Sequence, residues 1–340
     1  MDDSGFNERG AYISEGGGCT IQPRDEGVLE DKISLGIEST AHTFGVGLVD
    51  GRGRILANKW HTYSSESGGM RPHDIAEHHF NIALDVLEEA LSSAGVSPKD
   101  ISIIGFSRGP GIGQALTVGA FIARSLSLKI KKPLFGVNHP IAHIEIGRAV
   151  TGSGDPVILY VSGGNTQVIS HNGKRYVVLG ETLDIGLGNA QDRLGREIGL
   201  PFPPGPIMDK IEGNWVELPY TVKGMDLSFS GLLTESLRKL RAGFKKEDIV
   251  WSFMEVAFSM TVEVAERALA LTGKEELLLV GGVAASPRFR EKVRKMCEER
   301  DARLKVPPPD LARDNGAMIA WTAFLCYKYK ILPPDDPHEL

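Results

Sequence analysis

Cysteine is scarce in this chain, and long apolar runs are missing from it. Its three cysteines, Cys19, Cys297 and Cys326, stand far apart, so we expect reduced thiols in a cytoplasmic protein rather than a disulfide framework or a zinc ribbon. The longest apolar stretches, such as 156–161 and 277–283, are far too short to cross a bilayer. The first ten residues carry no basic-then-apolar leader, so secretion is not expected.

Basic charge is also in short supply. The 38 Lys and Arg residues face 44 Asp and Glu residues, which gives a net charge of −6. A protein of this charge needs a partner or a local basic surface to hold nucleic acid. The remaining composition, 41% apolar and 24% charged, is that of an ordinary globular protein and excludes disordered, collagen-like and coiled-coil classes. The length of 340 residues suits two domains better than one.

The same order of predicted elements occurs twice along the chain. Residues 33–60 and residues 156–181 each read as strand, small-residue loop, strand, tight turn and strand. This pattern predicts a duplicated α/β unit in which each half contributes a loop to one cleft. We predict a flexible N-terminal tail (residues 1–31), an N-terminal lobe that carries the candidate metal helix (32–150), a C-terminal lobe (151–330) and a C-terminal tail (331–340).

Three loops built of small residues follow predicted strands. They cover residues 38–40, 162–166 and 281–286. Glycine and serine let backbone N–H groups approach an anion, and short side chains leave room for a base or a ribose. Each loop alone is more often a plain tight turn. Their order on a duplicated frame favours a nucleotide site.

Two histidines four residues apart form a candidate metal pair. His139 and His143 would share one face of a helix that Asn138 caps and that carries Pro140 in its first turn. Such pairs are more often hydrogen-bonded or surface histidines than ligands. Pro140 stands where a zinc protease has its glutamate, which argues against that class.

Spaced carboxylates accompany the loops of the second half. Asp184, Asp192 and Asp209 lie in a segment rich in glycine and proline and are candidates for binding ribose hydroxyls or a cation. The segment 201–206 holds four prolines and is predicted to be a rigid loop. Asp314 precedes a predicted helix, where a carboxylate is favoured and well placed as a ligand.

Two further polar groups have ordinary explanations. His73, His78 and His79 lie near a helix start and are interpreted as structural or as part of a cleft edge. The basic residues within 238–246, after the motif at 227–231, could face an anionic partner. A solvated basic surface is the commoner interpretation.

Taken together, the motifs closely resemble one known family. They are GIEST, RGPGIGQALTVGA, VNHPIAHIEIG, YVSGGNTQV, LGETLDIGLGNAQDRLGREIGL, PPGP, LSFSG, GGVAAS and RDNGAMIA, and they span residues 33–327. This set is similar to the universal tRNA threonylcarbamoyladenosine synthase family, called TsaD in bacteria and forming the catalytic subunit of the KEOPS complex in archaea and eukaryotes. The form NHxxAHIE resembles the archaeal and eukaryotic members.

The resemblance implies a fold and an activity. The fold would be the duplicated α/β fold of actin, hexokinase and Hsp70 (ASKHA), with two lobes around a nucleotide cleft. The enzyme would be an acyltransferase. It would move the threonylcarbamoyl group from threonylcarbamoyl-AMP to N6 of the adenosine on the 3′ side of the anticodon, in tRNAs that read codons beginning with A. Implied partners are tRNA and the KEOPS subunits, namely a Bud-type kinase and small subunits of the Cgi and Pcc types, with no membrane involved.

The resemblance also implies cofactors and site residues. Members bind one divalent metal ion, here iron(II) before zinc, and ATP or an adenylate accompanied by Mg²⁺. Carried over by position, the metal ligands would be His139, His143, Tyr160 and Asp314. The adenylate site would comprise Tyr160, Val161, Ser162, Gly163, Gly164, Asp192, Gly205, Asp209 and Ser286. Asparagine commonly ends the GGVAA motif of the family, and the shorter Ser286 stands here instead, which changes the contact with the base.

A mechanism follows from this assignment as a hypothesis. The metal would polarise the threonylcarbamoyl carbonyl or hold its carboxylate, and backbone N–H groups of 162–164 would hold the phosphate. The adenosine amine would attack and AMP would leave, so no protein nucleophile is needed. The alternatives are a small-molecule kinase of the same superfamily, an ATP-binding scaffold without catalysis, and a metalloendopeptidase.

Overall fold

Two mixed five-stranded sheets form the framework of the protein. The computed structural model describes residues 29–64 and 71–338. Its strands are β1 (Ile33–Glu38), β2 (Thr43–Asp50), β3 (Ile55–Thr62), β4 (Ile101–Gly109), β5 (Leu134–Asn138), β6 (Val157–Val161), β7 (Thr166–His171), β8 (Tyr176–Glu181), β9 (Val222–Lys223), β10 (Asp226–Leu227), β11 (Glu276–Val280) and β12 (Arg303–Lys305). The helices are α1 (Pro72–Ala94), α2 (Gly113–Ile130), α3 (His139–Thr151), α4 (Leu187–Glu197), α5 (Gly205–Met208), α6 (Ser230–Arg241), α7 (Lys246–Thr272), α8 (Pro287–Glu299), α9 (Pro309–Ala312) and α10 (Gly316–Tyr329). Short 3₁₀ turns cover Pro98–Asp100 and Gly282–Ala285.

The two sheets repeat one topology. The first has the strand order β3-β2-β1-β4-β5 and the second β12-β11-β6-β7-β8. In each sheet the opening strand pairs antiparallel with the next strand along the chain, and parallel with a later strand on its other side. The duplicated α/β unit predicted from the sequence is therefore confirmed.

Helices cover both faces of the first sheet. Helix α10 packs against β1, β2 and β4 on one face, and α1 and α2 pack on the other. The central strands are therefore buried on both faces, which explains their nearly continuous apolar sequences. Gly36 and Gly47 lie against the backbone of α10 at Ala320 and Ala317. A Cβ atom at either glycine would push the helix off the sheet.

Two neighbouring helices, α3 and α10, connect the two halves of the chain, and we call these connections the two passages between the halves. Helix α3 leads from β5 of the first sheet to β6 of the second, and α10 returns from the second half to pack on the first sheet. The two helices contact each other. A Cβ atom on Gly147 of α3 would come within 2.9 Å of Val280 Cγ1 on β11, so α3 also lies close against the second sheet. Residues carried by these two passages are brought together.

Several segments differ from the sequence-based expectation. The proline segment 201–206 was predicted to lack helix, but α5 begins inside it, because Pro206 falls in the first turn, where a helix tolerates proline. Helices α4 and α6 and the short strands β9, β10 and β12 are additions to the elements that the sequence predicts.

The two predicted tails are partly described. Residues 1–28 and 339–340 lie outside the described residues. At the N-terminal end Glu30 pairs with Arg52 at 3.0 Å. At the C-terminal end Asp335 accepts a hydrogen bond from the Gly136 amide and pairs with Arg108, so both described ends are attached to the first sheet. Within the described ranges, no helix combines the length and the hydropathy that a membrane span requires.

Candidate metal centre and nucleotide cleft

The histidine pair stands at the beginning of α3. Asn138 Oδ1 accepts a hydrogen bond from the Ile141 amide at 3.1 Å and so caps the helix, and Pro140 occupies its first turn. One helical turn separates His139 from His143, and their Nε2 atoms lie 3.2 Å apart. Both imidazoles are buried.

The third member of the cluster comes from the other passage between the halves. Asp314 lies between α9 and α10, and its neighbour Asn315 caps α10 by accepting a hydrogen bond from the Met318 amide at 3.0 Å. Asp314 Oδ1 lies 3.1 Å from His143 Nε2 and 3.4 Å from His139 Nε2. Three potential ligand atoms thus meet at one buried point.

The spacing of these atoms fits a metal ion. Ligands held at about 2.1 Å in a tetrahedral site lie about 3.4 Å from one another, and the three atoms are 3.1–3.4 Å apart. The buried hydroxyl of Tyr160 has no hydrogen-bond partner among the described residues, and its ring lies 5.5 Å from the His143 ring, measured between centroids. A buried, unpartnered phenol beside two imidazoles and a carboxylate suits a fourth ligand. Imidazole and oxygen donors suit iron and zinc.

The electrostatics of the cluster suit a bound cation. Burial lowers the pKa of His139, but Glu38, Tyr160 and Asp314 outweigh it and raise that pKa well above 6.5. Burial raises the pKa of Asp314, but His139 outweighs it and holds it well below 3.8. Burial also raises the pKa of the Tyr160 phenol and lowers that of His143. The cluster therefore holds a proton that a bound metal ion would displace.

Glu38 supports this cluster from the end of β1. Its Oε2 lies 3.1 Å from His139 Nδ1, and its Oε1 accepts hydrogen bonds from the amide and the hydroxyl of Thr40. The loop 38–40, which the sequence favoured as a phosphate loop, thus directs its carboxylate to the histidine. The sequence analysis did not predict that Glu38 contacts a histidine. The position of Glu38 at the end of a strand was the one feature that could have indicated a role in the site.

The glycine loop after β6 is held by the start of α4. Ser162 N donates to Asn165 O at 2.8 Å, and Asn165 N donates to Ser162 Oγ at 3.1 Å, which closes the turn. Gly163 and Gly164 are exposed. A Cβ atom on Gly188 would lie 2.7 Å from Gly163 Cα, so α4 can approach the loop only because that residue is glycine.

The remaining predicted nucleotide residues lie around α4 and α5. The Ser286 hydroxyl donates to Asp209 and accepts a hydrogen bond from the Phe289 amide at 3.1 Å, which caps α8. Asp192 lies on α4, and burial raises its pKa to about 7. Helix α4 contacts both α5, where Gly205 is the first residue, and the 3₁₀ turn that precedes Ser286. The structure thus brings α5 and the 3₁₀ turn before Ser286 into contact with α4.

Asp184 does not belong to this group. Its carboxylate accepts hydrogen bonds from the Ser228 hydroxyl and from the amides of Ile185, Phe229 and Ser230, and these contacts lower its pKa. The prediction that Asp184 is a candidate ligand for a ribose or a cation is therefore wrong, because its oxygens already hold the start of α6.

The second histidine group links α1 to the loop after β1. His79 is buried and donates from Nε2 to the Ala41 carbonyl at 2.9 Å, and His78 Nδ1 lies 3.2 Å from His79 Nδ1. His61 Nδ1 in turn lies 2.7 Å from His78 Nε2. His73 is exposed.

The basic segment 238–246 lies at the end of α6 and the start of α7. Arg241, Phe244 and Lys245 are exposed, and Lys246 Nζ donates to the Ile198 carbonyl at 3.2 Å, just beyond α4. Helix α4, with 11 residues, is about 16 Å long. The glycine loop contacts the start of α4, and the basic segment contacts the residue just after its end. The length of α4 therefore separates the basic segment from the glycine loop.

Comparison with known proteins identifies the family. The sequence profile of TsaD, tRNA N6-adenosine threonylcarbamoyltransferase, matches residues 54–321. The chain belongs to this family. It is 54% identical over 300 residues to the tRNA N6-adenosine threonylcarbamoyltransferase of Thermococcus sibiricus, covering 87% of this chain and 92% of that protein. The family resemblance inferred from the motifs is confirmed.

One further comparison supports the TsaD-family assignment, and another supports the fold. The chain is 52% identical over 301 residues to a probable bifunctional tRNA threonylcarbamoyladenosine biosynthesis protein of Methanothermobacter thermautotrophicus, covering 88% of this chain and 56% of that one. Full-length HypF in its phosphate- and nucleotide-bound form has a similar structure, with a TM-score of 0.61 at 11% identity, covering 87% of this chain and 55% of HypF. That likeness concerns the fold alone, and the predicted ASKHA-type α/β fold is confirmed.

Proposed function

We propose that the chain transfers the threonylcarbamoyl group from threonylcarbamoyl-AMP to N6 of the adenosine on the 3′ side of the anticodon, in tRNAs that read codons beginning with A. The observation that carries this proposal is the buried cluster of His139, His143 and Asp314 at the passage between the two halves. The names of the relatives support the reaction class. A division into lobes at 32–150 and 151–330, with the cleft between them, belongs to the same proposal.

Four side chains would hold the metal ion of this enzyme. They are His139, His143, Tyr160 and Asp314, whose donor atoms suit iron(II) first and zinc as the alternative. When bound, such an ion supplies a Lewis acid and a template for the oxygens of the threonylcarbamoyl group. The histidines lie on α3, and Asp314 lies just before α10. A metal ion bound by all three would therefore also hold these two connecting helices together.

The adenylate would lie along the start of α4. The exposed backbone N–H groups of Gly163 and Gly164 would hold its phosphate. The Ser162 N–H, expected from the sequence to join them, already donates to Asn165 O at 2.8 Å. The raised pKa of Asp192 reflects burial of its carboxyl group, which the charge of Arg196 offsets only in part. Ribose hydroxyls would give this carboxyl group hydrogen-bond donors. The other proposed contacts are Val161, Gly205, Asp209 and Ser286, with Mg²⁺ accompanying ATP.

Ser286 would contact the base only weakly. Its donor is directed to Asp209, and its oxygen caps α8. An asparagine at this position would retain a second polar group for the base, and a serine does not. We therefore assign base recognition mainly to groups other than Ser286.

The residues of the chain act by positioning. The N6 amine attacks the carbamoyl carbonyl carbon, a C–N bond forms, and the bond between that carbon and the phosphate oxygen breaks. AMP leaves with the electron pair, and the amine gives up one proton to the departing phosphate or to water. The N–H groups of Gly163 and Gly164 stabilise the charge that grows on the departing phosphate. No side chain forms a covalent bond, since the adenylate is already activated.

The tRNA would be held with the help of partner proteins. The chain carries a net charge of −6, so the exposed basic segment 238–246 would supply only part of the attraction to the phosphate backbone. We propose that subunits of the KEOPS type, a Bud-type kinase with Cgi-type and Pcc-type small subunits, supply the rest. We also propose that the protein acts in the cytoplasm, together with its tRNA substrate.

Transfer of a radiolabelled threonylcarbamoyl group from its adenylate to tRNA tests this function. The assay uses the metal-loaded full chain, alone and with partner subunits, and the His139→Ala variant as control. We expect label in tRNA with the wild type and a loss of at least about 100-fold in the variant, because the metal ion loses a ligand. Absence of product under both conditions would favour a scaffold, and ATP-dependent phosphorylation of a small molecule would favour a kinase.

A further inference from the structure

Glu38 is a charged residue with no exposed surface at all. It ends β1, the central strand of the first sheet, and no substrate is proposed to contact it. A buried carboxylate is strongly unfavourable unless hydrogen bonds or opposite charge compensate it. The groups that satisfy Glu38 therefore indicate what it does.

The two oxygens of Glu38 have separate partners. Oε1 accepts the amide hydrogen of Thr40 at 2.7 Å and also the Thr40 hydroxyl hydrogen. These two donors come from the residue two positions along the chain, so they fix the orientation of the carboxylate. Oε2 is left to face His139 Nδ1 at 3.1 Å. The Thr40 hydroxyl oxygen also lies 3.3 Å from this nitrogen, and because its hydrogen is donated to Glu38, it can only accept there.

This arrangement decides which nitrogen of His139 carries a hydrogen. An ionised carboxylate only accepts hydrogen bonds, so His139 Nδ1 must be the donor. A metal ion binds the neutral imidazole, and with the hydrogen on Nδ1 the lone pair of that neutral ring is on Nε2. That atom faces His143 Nε2 and Asp314 Oδ1 at 3.2 Å and 3.4 Å.

We propose that Glu38 is a positioning residue that keeps His139 in the Nδ1–H form and thereby reserves Nε2 for a divalent transition-metal ion. The inference rests on the metal site of the proposed function. It adds a residue that contacts neither metal nor substrate and acts only through His139. Carboxylates in this relation to a ligating histidine also raise its basicity as a ligand.

Glutamine at position 38 separates this role from a purely structural one. The two donors of Thr40 would attract the glutamine carbonyl oxygen, so its NH₂ group would face His139 Nδ1. Nδ1 would then have to accept, and the ring hydrogen would move to Nε2, where the metal should bind. Shape and volume stay nearly unchanged, whereas the tautomer is reversed.

The test is a titration of metal-free full chain with Co²⁺, followed by the visible absorption of the bound ion. We expect Glu38→Gln to bind Co²⁺ about 10–100-fold more weakly than the wild type, with an altered spectrum. Ser34→Ala is the matched control, because Ser34 lies on the same strand, is buried, and donates to the Ala320 carbonyl at 2.7 Å away from the cluster. That variant should lose some thermal stability and keep the wild-type affinity and spectrum.

Equal Co²⁺ affinity for Glu38→Gln and Ser34→Ala would overturn the proposal. If Glu38→Gln does not fold, Thr40→Val takes its place. It removes one of the two donors that hold Oε1, and it should weaken binding several-fold; unchanged binding would overturn the proposal equally. The His139→Ala variant shows whether a negative result concerns the metal site or only Glu38. If both His139→Ala and Glu38→Gln bind Co²⁺ like the wild type, the assignment of the metal site is wrong. If His139→Ala loses binding and Glu38→Gln does not, only the role of Glu38 is wrong.

Discussion

Asp314 Oδ1 lies 3.1 Å from His143 Nε2, although 171 positions separate the two residues. The contact exists because α3 and α10, the two passages between the halves, run side by side. Asp314 immediately precedes the residue that caps α10, and His143 lies one turn into α3. A metal ion held by both would join the two halves of the protein.

Replacing Asp314 with asparagine should remove most of the bound metal. The amide keeps the shape of the carboxylate but loses the charge that balances a divalent ion and two imidazoles. We expect the metal content measured by mass spectrometry to fall from about one ion per chain to a small fraction. Asp310→Asn is the control, since Asp310 is exposed on the neighbouring α9 and should leave the content unchanged. Equal metal content in both variants would contradict the assignment of Asp314.

Replacing Tyr160 with phenylalanine should have little effect on stability without metal and a larger effect with metal. The hydroxyl is buried and unpartnered among the described residues, so its removal should change the free energy of unfolding of the metal-free protein by no more than about 1 kcal/mol. In the metal-loaded protein the same change removes a ligand and should reduce the stabilisation that metal provides. Urea unfolding with a chelator and with added zinc measures both values. A zinc-dependent stabilisation equal to that of the wild type would exclude Tyr160 as a ligand.

Much of the framework could be predicted from the sequence, because it depends on local patterns. Local patterns predict the hairpin turn at Asn172 and Gly173, the apolar runs of the buried strands, and the capping of α3 by Asn138. Each of these patterns extends over only a few residues. The i, i+4 spacing of His139 and His143 is likewise enough to predict that both imidazoles share one face of a helix. These features follow from neighbouring residues alone.

The missed features depend on contacts between distant residues. Helix α6 begins where Asp184, some 45 positions earlier, accepts hydrogen bonds from its first amides, and no local pattern announces such a cap. The contact between Glu38 and His139 spans 101 positions. The segment 38–40 resembles a phosphate loop because its small residues allow either use. Only the contact between the end of β1 and the start of α3 decides between them.

The stability of the protein should depend on pH through Asp192. Burial raises its pKa from 3.8 to about 7, so between these values the folded protein keeps a proton that the unfolded chain has lost. Unfolding then releases a proton, and the contribution of this group to the free energy of unfolding falls as pH rises from about 4 to 7. Above about pH 7 this contribution stays constant.

The Asp192→Asn variant should remove that decline. We expect its free energy of unfolding, measured by urea titration at several pH values without nucleotide, to exceed the wild-type value increasingly from pH 4 to 7. Glu197→Gln on the same helix is exposed and serves as the control. Parallel pH profiles for wild type and Asp192→Asn would show that the carboxyl group of Asp192 is not destabilised by burial.

Reversing charge in the basic segment 238–246 should weaken binding of tRNA. Arg241 and Lys245 are exposed, so a double change to glutamate should not disturb packing. We expect at least a several-fold higher Kd for tRNA, and a shallower dependence of the Kd on salt, because fewer counterions are released on binding. Lys99→Glu, at an exposed turn of the first half, is the control. A salt dependence identical to that of the wild type would place the tRNA elsewhere.

A crystal of the metal-loaded full chain, with anomalous diffraction recorded at the absorption edge of the metal, tests the central claim most directly. The account predicts one strong peak within about 2.0–2.3 Å of His139 Nε2, His143 Nε2, an oxygen of Asp314 and the hydroxyl of Tyr160. A peak at other residues, or none at all in protein shown to contain metal, would contradict it.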